Sequence, residues 1–154
     1  MQTFDPGSSK EVFRPSREQV NEFIQDTVIG VLSTVDGDGA PMGATVAFST
    51  TANGCILVGT QESSRKSSNI AGDPRVAVTI TDAVKRYTLQ CEGIARKLTH
   101  QEFERDYANE HYAKRPESLP FKDKPGECHI LIEPLHIRFA DCSVSPWVAT
   151  EFDK

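Results

Sequence analysis

The residues best suited to chemistry lie in one run, Thr60-Gln61-Glu62-Ser63-Ser64-Arg65-Lys66, between an apolar strand pattern and a short polar helix. A phosphate at a helix N-terminus meets N–H groups without intrahelical partners and the positive end of the helix dipole. Ser64 can donate a hydroxyl hydrogen bond, Arg65 a bidentate pair and Lys66 a point charge. The same residue types also make ordinary solvated surface, so the run alone leaves both readings open.

Other constellations are poorer. Ser63-Ser64-Arg65-Lys66 fits the S-x-x-K acylation pattern, but the S-D-N and K-T-G partners are absent. Cys55, Cys91, Cys128 and Cys142 form no CxxC pair, and the first three fall in apolar stretches as small buried hydrophobes. His129 and His136 sit seven apart on one strand, which puts them on opposite faces as structural histidines. His100 and His111 lie on or near a helix and read as solvated, so no metal-ligand set is expected. No GxGxxG, P-loop or HExxH pattern occurs. No acid–base pair stands out, and no catalytic residue is assigned.

The elements that must position the run are mostly strands. Ser16 and Gln19 form a capping box for a helix to about Asp26, with Val20, Phe23 and Ile24 on one face. Val28 to Val35, Met42 to Thr50 and Cys55 to Thr60 are strands separated by Asp36-Gly37-Asp38-Gly39 and Asn53-Gly54 turns, an antiparallel meander. A short helix ends near Gly72, and strands follow over Val76 to Thr81 and Arg86 to Leu98, with Gly93 as a bulge or bend. Thr99 and Glu102 predict a second capping box and one helix to about Lys114, packed through Phe103, Tyr107 and Tyr112. Arg115 to Gly126 reads as a loop. Cys128 to Ala140 is the last strand, bent at Pro134.

The expected architecture is therefore mainly β (α+β): a six-stranded antiparallel split barrel with two or three short helices. It forms a single domain over 1–154, with an irregular lead-in at 1–15 and an irregular tail at 141–154. The composition, 38% hydrophobic and 25% charged, is that of a globular protein. A net charge of −5 argues against general nucleic-acid binding. The polar Met1 to Lys10 and the shortness of every apolar run predict a cytoplasmic protein with no membrane span.

The string T-x-x-x-S-R-K, then Asn69-Ile70 and Asp73-Pro74-Arg75-Val76, resembles the signature of the pyridoxamine 5′-phosphate oxidase-like FMN-binding split barrels. Val28 to Pro41 is similar to that family's opening hairpin, and Leu89 to Leu98 to its later strand, so the likeness runs from about Glu18 to Ala140. The resemblance implies a homodimer with FMN in the groove between subunits and an oxidoreductase acting on an unidentified small molecule. Arg65 and Lys66 would hold the FMN phosphate, with Ser64 and Thr60 hydrogen-bonding nearby. Thr45 and Val46 would lie along the isoalloxazine ring, Gln90 could reach its edge, and Trp147 could pack over it or cap the barrel. A deazaflavin-dependent reductase, or a flavin- or haem-binding protein without turnover, are the alternatives. In pyridoxamine phosphate oxidases the second strand supplies an arginine and a lysine to the phosphate, whereas Ala44 to Ser49 carries neither. With no C-terminal substrate region before Lys154, oxidation of pyridoxamine phosphate is not expected.

Overall fold

A computed structural model of the chain describes residues 11–154; the first ten residues of the expected lead-in lie outside them. Its elements are α1 (Arg17–Asp26), β1 (Ile29–Val35), β2 (Pro41–Thr50), β3 (Ile56–Gln61), α2 (Arg65–Gly72), β4 (Arg75–Asp82) and β5 (Tyr87–Lys97). They continue with α3 (His100–Asp106), α4 (Ala108–Lys114), a 3₁₀ segment (Pro116–Phe121), β6 (Glu127–Asp141) and β7 (Val148–Asp153).

The strands are antiparallel in the order β3-β2-β1-β4-β5-β6-β7, and β3 also pairs with β6 from Ile56↔Ile132 to Gln61↔Glu127. That second pairing closes six strands into a barrel. The ladder between β2 and β3 is short, running only from Phe48↔Val58 to Thr50↔Ile56. Beyond it the two strands part, so β2 from Pro41 to Ala47 pairs with β1 alone. This opening is the split.

Alternation along each strand sends one set of side chains inward, among them Leu32, Val46, Phe48, Val58, Val78, Ile80, Leu89, Ile130 and Phe139. Helices plug the barrel. Val20 and Ile24 of α1 join the core, and Phe23 meets Phe139 edge-on beside Tyr87, where β5 begins. Ile70 of α2 enters where β5 ends, beside Ala95 and Ile130. The capping box of α1 forms as expected: Ser16 Oγ accepts from Gln19 N–H, and Gln19 Oε1 accepts from Ser16 N–H at 2.8 Å. A second apolar cluster, with Leu57, Leu98, Phe103, Tyr112 and Leu131, sits outside the barrel under α3 and α4.

Four expectations need correction. The tail is not all irregular, because Val148–Asp153 forms β7 along the half of β6 that has left β3. The helix expected to Lys114 breaks at Tyr107 into α3 and α4. Thr99 accepts from Glu102 N–H, but the Glu102 carboxylate turns to Arg96, so only half of that capping box forms. Finally, β6 carries one extra residue where Glu92↔His136 gives way to Gly93↔Pro134. The inward set changes from Ile130 and Ile132 to Ile137 and Phe139 across this bulge, so His129 and His136 both lie outside the barrel, not on opposite faces.

Candidate functional site

The chemistry-bearing run forms the turn from β3 into α2. Ser64 N–H donates to the Gln61 carbonyl at 3.0 Å and Glu62 N–H to the Gly126 carbonyl at 2.7 Å, which fixes the turn against the loop before β6. Ser64 is the N-cap of α2, its hydroxyl accepting from Ser67 N–H at 3.3 Å. Thr60 stands on the part of β3 that has parted from β2, with its Oγ1 3.3 Å from Ser64 Oγ. Arg65 and Lys66 occupy the first two helical positions, where backbone N–H groups have no intrahelical partner. Arg65 is exposed and Lys66 half-buried, and neither takes part in an ion pair among the described residues. Two hydroxyls, two unpaired cations and a helix N-terminus thus gather at the edge of the split.

The rest of the motif builds the fold. Asn69 donates through Nδ2 to Thr34 Oγ1 at 3.0 Å, clasping α2 to β1, while Ile70 enters the core. Asp73 accepts from Arg75 N–H at 3.1 Å and forms a 2.6 Å ion pair with its guanidinium. That arginine holds the Asp73 carboxyl down at about 2.

The other expected cofactor residues are placed differently. Thr45 is exposed on the outer face of β2, whereas the Val46 side chain is 6% exposed and points into the core, leaving its backbone to face the split. Gln90 is exposed on β5, in a cross-strand row that reads Thr45, Val31, Thr79, Gln90, Arg138. Three strand spacings of about 4.8 Å separate Thr45 from Gln90 by roughly 14 Å along the sheet. Within one protomer they do not belong to one ring-sized site. Trp147 is 71% exposed and caps nothing in the single chain.

The same outer face exposes Ile29 and Val31 (57% and 40%), with Ala47 opposite Ile29 and the exposed Val28 just before the strand.

Sequence reasoning missed the cluster under α3. His111, expected in solvent, is buried, with its Nδ1 2.9 Å from Ser49 Oγ. Burial lowers its pKa, helped by Arg115. His129 stacks on Phe103 with ring centroids 3.5 Å apart, and burial, then the neighbouring His111 and His100, pushes it down to about 4. Its neutral structural character matches expectation. Nothing in the local sequence around His111 signals that α4 turns under the sheet; only the tertiary packing shows it.

The architecture is thus a closed six-stranded antiparallel barrel, split between two strands and bearing a cationic helix N-terminus beside the split. The chain belongs to the pyridoxamine 5′-phosphate oxidase family, whose sequence model matches residues 16–139. No curated protein matches it significantly by sequence.

Among solved structures, Campylobacter jejuni ChuZ superposes with a TM-score of 0.76 at 18% identity, over 95% of this chain and 62% of that one. A heme binding protein from Mycobacterium smegmatis gives 0.72 at 17% identity, over 92% and 60%. A pyridoxamine 5′-phosphate oxidase-related, FMN binding protein from Nostoc punctiforme gives 0.68 at 14% identity, over 94% and 99%. The chain thus spans about three-fifths of the first two proteins and nearly all of the third. At these identities the likeness is one of fold.

Proposed function

We propose that the protein binds FMN as a homodimer and acts as an oxidoreductase on a small molecule. The observation that carries this reading is the pairing of Arg65 and Lys66, without ionic partners among the described residues, with the Ser64-capped N-terminus of α2. A dianionic phosphate fits that donor set, with Thr60 and Ser64 adding hydroxyls. No basic residue on β2 from Ala44 to Ser49 shares the load. When bound, FMN supplies the hydride and electron chemistry. The chain's own residues anchor the phosphate, offer Thr45 and the backbone beside Val46 along the split, and present Gln90 from the outer face.

The exposed Ile29 and Val31 on the outer face of β1 support a second copy as partner, because pairing two such faces buries them. The test is reconstitution. Purified protein mixed with FMN is expected to retain a flavin absorption spectrum through gel filtration, at one FMN per chain, in a dimeric peak. Loss of the flavin on the column would overturn the reading.

A haem reading is motivated by the likeness to the Mycobacterium smegmatis heme binding protein. A Soret band after haem addition, with no retained flavin, would favour it over FMN.

A further inference from the structure

We propose that the cavity under α3 holds a divalent transition-metal cation, bound by His100 Nε2 and the carboxylates of Glu104 and Asp123. His100 opens α3 and Glu104 follows four residues later, on the same helix face. Asp123 arrives from the loop after the 3₁₀ segment. One ligand atom from each lies within 4.8 Å of the others, and His100 Nε2 is 4.0 Å from Asp123 Oδ1. Metal–ligand bonds of about 2.0–2.2 Å place ligand atoms on one ion roughly 3–4 Å apart, so modest side-chain rotation completes the set. His100 and Asp123 are exposed and have room to turn. Lys122 lies 3.9 Å from Glu104 and is the cation that would be displaced.

A second observation comes from the inner wall of the same cavity, which has a volume of about 240 Å³ and is lined also by Glu127 and His129. His129 is 6% exposed, and its Nε2 has no hydrogen-bond partner. Glu127 Oε1 lies 3.7 Å from that nitrogen, beyond hydrogen-bonding range. An unsatisfied buried ring nitrogen is costly, so such a group needs an explanation. Four carboxylates, Glu62, Glu104, Asp123 and Glu127, line this one space together with Lys97 and Lys124. A cation at its mouth would add further positive charge beside Glu104, Asp123 and Glu127.

One imidazole nitrogen with two carboxylates suits Zn²⁺ and its first-row neighbours, whereas Mg²⁺ and Ca²⁺ favour oxygen alone. Thr60, Ser64, Arg65 and Lys66 do not line this cavity, so the inference stands apart from the flavin reading. The sequence pattern hides the site because its ligands are divided between a helix and a loop.

The test is calorimetric titration of EDTA-stripped, dialysed protein with Zn²⁺, followed in parallel by the ring-proton resonances of the histidines. The expected result is one equivalent per chain at micromolar affinity, with the His100 and His129 resonances shifting together and His136 unmoved. H100A/D123N should weaken binding by at least about tenfold with unchanged circular dichroism, and H136A should leave it intact. No stoichiometric binding, or binding unaffected by H100A/D123N, or equal loss in H136A, would overturn the proposal.

Discussion

Replacing Arg65 and Lys66 together with alanine tests whether the N-terminus of α2 holds a phosphate. Each residue would contribute a charge-assisted contact, worth about 1.5–3 kcal/mol. Arg65 is exposed and Lys66 half-buried, so solvent screening draws both toward the lower end of that range. About 1.5 kcal/mol each, taken as additive, gives roughly 3 kcal/mol. At about 1.4 kcal/mol per decade this is roughly a hundredfold loss of FMN affinity. Riboflavin has the same ring and ribityl chain without the phosphate, so its affinity should change by less than about threefold on the same scale. The assay is fluorescence quenching of each ligand by wild type and R65A/K66A at low and moderate salt. Salt should narrow the FMN difference, since interactions between exposed charges decay with a Debye length of about 10 Å at 0.1 M and faster at higher salt. The fold is not at stake, because neither cation holds an ion pair among the described residues and Ser64 still caps the helix. An equal loss for the two ligands would refute the reasoning and make the pair a solvated face.

Sedimentation at micromolar concentration should report about twice 17.0 kDa, and Ile29→Lys should yield monomers that retain FMN poorly. His136, bonded to Asp153 at 2.7 Å and Glu151 at 3.3 Å across to β7, has a raised pKa, chiefly through the Asp153 hydrogen bond. Its contribution is therefore full below the unfolded histidine value of about 6.5 and fades as pH rises through the higher folded value. The Tm gap between wild type and H136A should be widest in mild acid and close in alkali. Gly93→Ala would set a Cβ 2.7 Å from the Glu133 carbonyl oxygen at the bulge, and chemical denaturation should show a loss of about 1–3 kcal/mol. FMN-loaded protein should show no oxygen-dependent conversion of pyridoxamine phosphate near 1 s⁻¹, the low end for enzymes. Turnover at that rate would direct attention to Arg138, exposed on the row that ends beside Gln90.

Local signals carried most of the fold into the sequence. The Ser16 capping box, the Asp-Gly and Asn-Gly turns and the β-branched runs each act over a few residues, and each appears in the structure close to its expected place. The misses required information from distant residues. Val148–Asp153 carries Glu151 and Asp153, as edge strands often carry charge, and so reads as loop until β6 is there to pair with it. The parity of His129 and His136 turned on one extra residue opposite Glu92–Gly93, which alternation alone cannot reveal. His111 gives no local signal of burial, which follows from α4 packing against Phe103 of α3 and Ser49 of β2. In the candidate site, the Ser64-Arg65-Lys66 segment was legible because a helix N-terminus is a local object. The cavity beneath α3 was not, because its walls come from α3, the 3₁₀ loop and β6.

The stretch from Thr60 to Val76 reads as one motif but works as two devices. Asn69, Ile70, Asp73 and Arg75 clasp α2 to β1, fill the barrel and start β4, so they would be needed whatever the barrel held. Only Thr60, Ser64, Arg65 and Lys66 are left over to meet the phosphate of the proposed FMN. A match to the whole string therefore speaks mainly to the fold. This fits a set of structural neighbours in which one barrel is described as binding FMN and another heme. What distinguishes ligands on such a scaffold must come from side chains the fold does not need. Here those are the two cations at the helix start and the outer row from Thr45 through Val31 and Thr79 to Gln90 and Arg138. Substitutions in that row should change what is bound while leaving stability nearly untouched, whereas Asn69→Ala should do the reverse.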